Sequence, residues 1–120
     1  MSTILKGMRV VEGSAFVAVP LAGMTLAQMG ADVIRFDRLE GGLDAKRWPV
    51  SDSGASHFWA GMNKGKRSIA IDMRAPEGKE LITRIITALV RMQGYLFQTF
   101  ACAVGWIMRP CRNSEKILSW

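Results

Sequence analysis

Two short β-branched runs, residues 8–12 (MRVVE) and 32–36 (DVIRF), stand within about 30 residues of each other, and the text between them leaves little choice of fold. Gly7 and Gly13 bound the first run. Residues 13–19 read as a loop of small and apolar residues, and Pro20 suits a first helical turn, where its missing N–H is not needed. The helix predicted through Leu21, Met24 and Gln28 should stop at Gly30, a natural left-handed position. Strand, helix and strand at this spacing make a βαβ unit, with parallel strands and a right-handed crossover. The chain is therefore read as an α/β protein.

The next elements extend the same plan. Residues 66–73 (KRSIAIDM) alternate, with Ser68, Ala70 and Asp72 on one side and Ile69, Ile71 and Met73 on the other, and predict a third strand. Ala75-Pro76-Glu77 opens a second helix, with proline in the first turn and an acid at the positive end of the dipole. Leu81, Ile82, Ile85, Ile86 and Leu89 fall on one face, the pattern of a helix packed on a sheet. Residues 39–60 have no period and form a long excursion, a kind of segment that is usually functional or covered by a partner. From Leu89 onward Trp, Met, Cys, Phe and Arg crowd together without period, and this tail is read as irregular.

At 120 residues the chain is the size of one domain. Its net charge is +6, but the last 34 residues carry four bases and one acid, half of that excess. Bases and acids interleave over the first 86 residues, which excludes a nucleic-acid footprint and suits a small polyanion if a few bases converge. Cys102 and Cys111 have no companion ligands, since His57 is the one histidine, so neither a metal site nor a disulfide framework is expected. Residues 13–27 are broken by Pro20 and residues 94–108 by Gln98 and Thr99, both short of the roughly twenty apolar residues a membrane span needs. A reducing cytoplasmic setting and no membrane association follow as expectations.

The loop after the first strand, EGSAFVAVP, lacks the G-x-G-x-x-G that lets a backbone approach a dinucleotide pyrophosphate. Asp37 stands where a ribose-binding acid would sit, and equally where a solvated strand-end carboxylate would. Arg38, one step on, lies at the strand's carboxyl end, where open α/β sheets bind ligands, and its planar fork can grip phosphate. Lys64, Lys66 and Arg67 form a basic cluster of the kind usually found on a solvated face.

These residues carry a wider pattern. LKGMRVVEGSAFVAVPLAGMTLAQMGADVIRFDR, followed by NKGKRSIAIDMRAPEGKEL, resembles the start of the family III CoA-transferases, the family of formyl-CoA transferase and α-methylacyl-CoA racemase. VVEGSAFVA, GGLDAKRWPV and FWAGMNKGKRSIAID look most like the branch of that family that isomerises 2-methylfumaryl-CoA. The resemblance implies a Rossmann-like CoA-binding domain within an interlocked homodimer and an acyl-CoA substrate, without metal. It further implies that Arg38 meets the CoA phosphates, that Ile71 and Arg74 flank the adenine, and that Phe16 and Val17 line the acyl and pantetheine end. Packing within the sheet is the competing reading of Ile71. In the family a catalytic Asp attacks the thioester to give a mixed anhydride and then an enzyme-bound thioester. That Asp belongs downstream of the matched residues, so none is assigned here, and the chain is expected to be inactive and not to dimerise alone.

The pattern stops near Ala88, which divides the chain into residues 1–88, the family-like start, and residues 89–120. Codons for Ala-Pro-Gly-Glu-Asp-Ala-Gly with one C lost after the first read Ala-Leu-Val-Arg-Met-Gln-Gly, the text found from Ala88. A frameshifted tail is therefore expected. Two other classes remain: a stand-alone CoA- or dinucleotide-binding module without catalysis, and a membrane-associated peptide driven by residues 94–108.

Overall fold

The computed structural model describes residues 3–13, 15–91, 95–98 and 107–110, with side chains through residue 88. In chain order the elements are β1 (Arg9–Gly13), α1 (Ala18–Gln28), β2 (Asp32–Asp37), α2 (His57–Met62), β3 (Arg67–Ala70), α3 (Pro76–Arg91), β4 (Tyr95–Gln98) and β5 (Ile107–Pro110). Val10 and Val11 are completely buried on opposite faces of β1, so this strand must be covered on both sides. Val10 packs with Ala27, Ala31 and Val33, joined by Leu5, Met8 and Leu26, beneath α1. Val11 packs with Ile86, joined by Ile34, Phe36, Ile82 and Ile85, beneath α3.

The sheet order is β3-β2-β1-β4-β5. β1 pairs in parallel with β2 from Arg9↔Asp32 to Glu12↔Arg35 and with β4 on its other edge, β2 pairs in parallel with β3, and β5 closes the sheet antiparallel to β4. The order reverses at β1, which makes the loop after β1 the topological switch point of the sheet. Gly30 has φ +102° and ends α1 as expected.

Several boundaries differ from the sequence reading. α1 begins at Ala18, with Pro20 buried inside its first turn and no side-chain cap from Val17. β3 is four residues rather than eight, although the alternation holds beyond it, with Ile71 buried and Asp72 exposed. Leu81 is 42% exposed, so the inward stripe of α3 is Ile82, Ile85 and Ile86; the Leu89 side chain lies outside the described residues. The helix α2 emerges from the excursion, where Ser56 caps it by accepting from the Trp59 N–H. Six residues are too few to show a helical period. β4 and β5 stand in the tail read as irregular; a four-residue run carries no periodic signal, and they are organised by pairing, β4 along β1 and β5 along β4. Cys102 and Cys111 fall outside the described residues. Among the described residues no helix is long and apolar enough to cross a membrane.

Gly23 shows how tightly α1 sits on the sheet, because a Cβ there would overlap the Glu12 carboxylate. Glu12 is fully buried and ion-paired, so it cannot swing aside cheaply. Helix propensity alone favours Gly23→Ala by about 1 kcal/mol. We expect the variant to be destabilised instead, by about 1–3 kcal/mol, read as a lower urea midpoint at unchanged slope.

Candidate functional site

The period-2 alternation of β2 points Val33, Arg35 and Asp37 to the α1 side, and the same alternation in β1 sends Glu12 there after Val10. Toward the carboxyl ends of the strands the apolar core thus gives way to charge. The Arg35 side chain is 1% exposed and is held by three carboxylates. Its Nε and Nη2 donate to both oxygens of Asp37 at 2.8 and 2.9 Å, Nη2 lies 3.2 Å from Asp44 Oδ1, and Nη1 lies 3.5 Å from Glu12 Oε1. Nη1 also donates to Asn63 Oδ1 at 2.8 Å. Lys66 Nζ completes the cluster, donating to Glu12 Oε1, the Pro20 carbonyl and Asn63 Oδ1 at 2.8–2.9 Å.

Burial opposes the Arg35 charge, but its hydrogen bond to Asp37 and the charges of Asp37, Asp44 and Glu12 outweigh it and hold the pKa above the usual value. At Lys66 burial wins, and the ammonium titrates below its usual range despite its contact with Glu12. Removing one member of such a network strands buried charge, at a cost of about 3–5 kcal/mol.

The network reaches the switch-point loop through Asp44. This residue is fully buried, and its Oδ2 accepts from the Phe16 N–H at 2.9 Å while Oδ1 faces Arg35. Phe16 has φ +72°, a left-handed conformation costing a non-glycine residue roughly 1–2 kcal/mol. The charge-assisted bond to Asp44 offsets that cost and fixes the loop, leaving the Phe16 and Val17 side chains 46% and 43% exposed.

Beside the network lies an open cleft of about 290 Å³, lined by Arg38, Leu39, Glu40, Ile71, Asp72, Met73 and Arg74. Ile71 is buried and gives it an apolar floor; Arg38 and Arg74 are exposed. The sequence-predicted residues therefore fall into two groups. Arg38, Ile71 and Arg74 share the cleft, while Phe16 and Val17 sit apart from its lining, on the loop after β1. All five follow the carboxyl ends of three adjacent parallel strands, β3, β2 and β1.

Two sequence readings need correction. Asp37 is neither solvated nor available to a ribose, since it is buried and both its oxygens bind Arg35. The basic cluster divides: Lys64 and Arg67 are exposed, but the Lys66 side chain is 2% exposed and ion-paired. Arg35, Glu12 and Asp44 were missed altogether. Strand alternation was the available signal for the first two, because it puts Arg35 and Glu12 in line with the buried valines. Nothing in the period-free excursion marked Asp44.

The lowered pKa of Lys66 sets a sign for pH dependence. Between that value and the 10.5 of an exposed lysine, the unfolded chain holds more protons, so the stability contributed at this residue rises with pH. We expect the unfolding free energy of the native chain to gain on that of Lys66→Met across this window, measured by urea denaturation at a series of alkaline pH values.

Comparison with known proteins gives the same picture. The family model for CoA-transferase family III matches residues 5–89. The chain is 65% identical over 108 residues to 2-methylfumaryl-CoA isomerase of Chloroflexus aurantiacus, covering 89% of this chain and 26% of that protein. It is 40% identical over 89 residues to succinate–glutarate CoA-transferase of Agrobacterium fabrum, covering 68% of this chain and 22% of that one. Among solved structures, a CAIB/BAIF family protein from Brucella suis superposes with a TM-score of 0.65 at 38% identity, over 73% of this chain and 24% of that chain. The chain thus spans about a quarter of the length of the relatives it matches. With the βαβ start, the parallel sheet and these matches in agreement, the chain belongs to CoA-transferase family III.

Proposed function

We propose that this chain supplies the CoA-binding start of an enzyme of the 2-methylfumaryl-CoA isomerase type. The observation that carries the reading is the placement of Arg38, Ile71 and Arg74 in one cleft at the ends of β2 and β3, with Phe16 and Val17 after the next strand, β1, along the same edge. Neighbouring strands lie about 4.8 Å apart, so the edge matches an extended ligand rather than a compact one. Ile71 and the Arg74 stem suit a purine face, and Arg38 suits phosphate. Phe16 and Val17 are left for the pantetheine and acyl end.

In such an enzyme CoA passes between the two carboxyl groups of one 2-methylfumaryl unit through an aspartyl-CoA thioester. Glu12, Asp37 and Asp44 are tied to Arg35 or Lys66 and are not free to be that nucleophile. We assign no catalytic residue to this chain and propose that it does not turn over acyl-CoA or form the interlocked dimer by itself. The exposed apolar residues Leu39, Leu43 and Trp48 suit a surface covered in a larger assembly. The frameshift past Ala88 also stands as a proposal. The isomerase match covers 89% of a 120-residue chain, a span too long to end at residue 89. That length counts against out-of-frame text filling all of residues 89–120, and resequencing the gene from codon 88 to its end tests the proposal.

Titration calorimetry tests the binding role. The native chain is expected to bind CoA and to prefer it to NAD, and Arg38→Ala to weaken CoA binding by about 10–100-fold, the effect of losing a charge-assisted phosphate contact. A preference for NAD, or CoA binding indifferent to Arg38→Ala, contradicts the reading in favour of a plain dinucleotide module.

A further inference from the structure

Arg47 lies in the excursion between β2 and α2 and is pinned at both backbone groups. Its N–H donates to the carbonyl of Asp44 at 3.1 Å, and its own carbonyl accepts from the Ser56 hydroxyl. Asp44 and Ser56 are both buried, so the residue is fixed to the same network that sets the switch-point loop. Its side chain is exposed, yet the guanidinium does not float. It stands over the Phe58 ring, 4.5 Å from the centroid, and 5.8 Å from that of Phe16. Stacking on aromatic faces leaves the in-plane N–H donors of an arginine open. Among the described residues no carboxylate lies within ion-pair distance of it.

The position of this cation along the sheet gives it a meaning. The cleft of Arg38, Ile71 and Arg74 lies at the ends of β2 and β3, whereas Phe16 follows β1. A CoA whose adenine occupies the cleft carries its thioester toward Phe16, and so toward Arg47. We propose that Arg47 is a specificity-determining residue that binds the free carboxylate of an acyl-CoA whose acyl group is a dicarboxylic acid. The assignment rests on the CoA-binding reading above. A planar fork held between two rings is oriented in advance for a carboxylate, which it grips through two parallel N–H bonds. The Phe16 and Phe58 rings give a short unsaturated acyl chain an apolar wall.

The test is calorimetric and uses the full chain with three ligands: CoA, 2-methylfumaryl-CoA and methacrylyl-CoA, which lacks the second carboxylate. The native chain is expected to bind 2-methylfumaryl-CoA about tenfold or more tightly than methacrylyl-CoA. Arg47→Gln is expected to bring that ratio close to one while CoA itself binds as before, and Arg47→Lys to recover part of it. Equal binding of the two thioesters by the native chain, or discrimination that survives Arg47→Gln, overturns the assignment and leaves the CoA reading intact. Loss of CoA binding in Arg47→Gln also overturns it, because the residue would then serve the fold rather than the acyl group. Failure of the native chain to bind CoA overturns both.

Discussion

Arg35 is a cation with almost no contact with water, and the functional edge of the molecule is arranged around it. Taking a guanidinium out of solvent is costly and is sustained only where several acceptors meet it at once. Here they come from separate parts of the chain: Glu12 from β1, Asp37 from β2, Asp44 from the excursion and Asn63 from the end of α2. Satisfying Arg35 therefore fixes how those parts sit relative to one another. Lys66 ties the same carboxylate, Glu12, to the Pro20 carbonyl in the first turn of α1. At its amino-terminal end α1 is tied to the network by that hydrogen bond, while Ala27 near its other end packs with Val10, Ala31 and Val33.

This division explains how a rigid base supports an unusual loop. A phenylalanine at positive φ needs a local cause, and the buried Asp44 carboxylate supplies one by accepting its N–H. Because Asp44 is in turn fixed by Arg35, the conformation of the switch-point loop depends on the centre of the network. Arg38 follows directly on Asp37, the residue that binds Arg35 through both oxygens. Both ends of the proposed ligand edge are thus built on one buried cation. The same arrangement ties up Glu12, Asp37 and Asp44, the three carboxylates nearest Arg35, in structural ion pairs.

Much of the fold was legible because it rests on local pattern. The valines of MRVVE, the alternation of KRSIAIDM, Gly30 after α1 and Pro76 at the start of α3 each point to the element found. The family resemblance pointed to five residues past the strand ends, and three of the five share a cleft. The network was harder to see, since hydropathy assigns charged residues to the surface and Lys66 looks like its solvated neighbours Lys64 and Arg67. Strand period could have flagged Glu12 and Arg35 as inward-facing. Asp44 could not be found that way, because its burial comes from a loop closing over Arg35, a tertiary event without periodic trace. α2, β4 and β5 were missed for a related reason: each is too short to show a period and is fixed by what it packs or pairs against.

The claim that the buried charges set the switch-point loop is tested most directly by amide hydrogen exchange at Phe16. This amide, though it lies in a loop beside an exposed side chain, is expected to exchange far more slowly than one in an unstructured peptide. Asp44→Ala is expected to bring it to the unprotected rate while the β1 amides of Val10 and Val11 stay protected. Free exchange of the Phe16 amide in the native chain, or protection unchanged by Asp44→Ala, would contradict it.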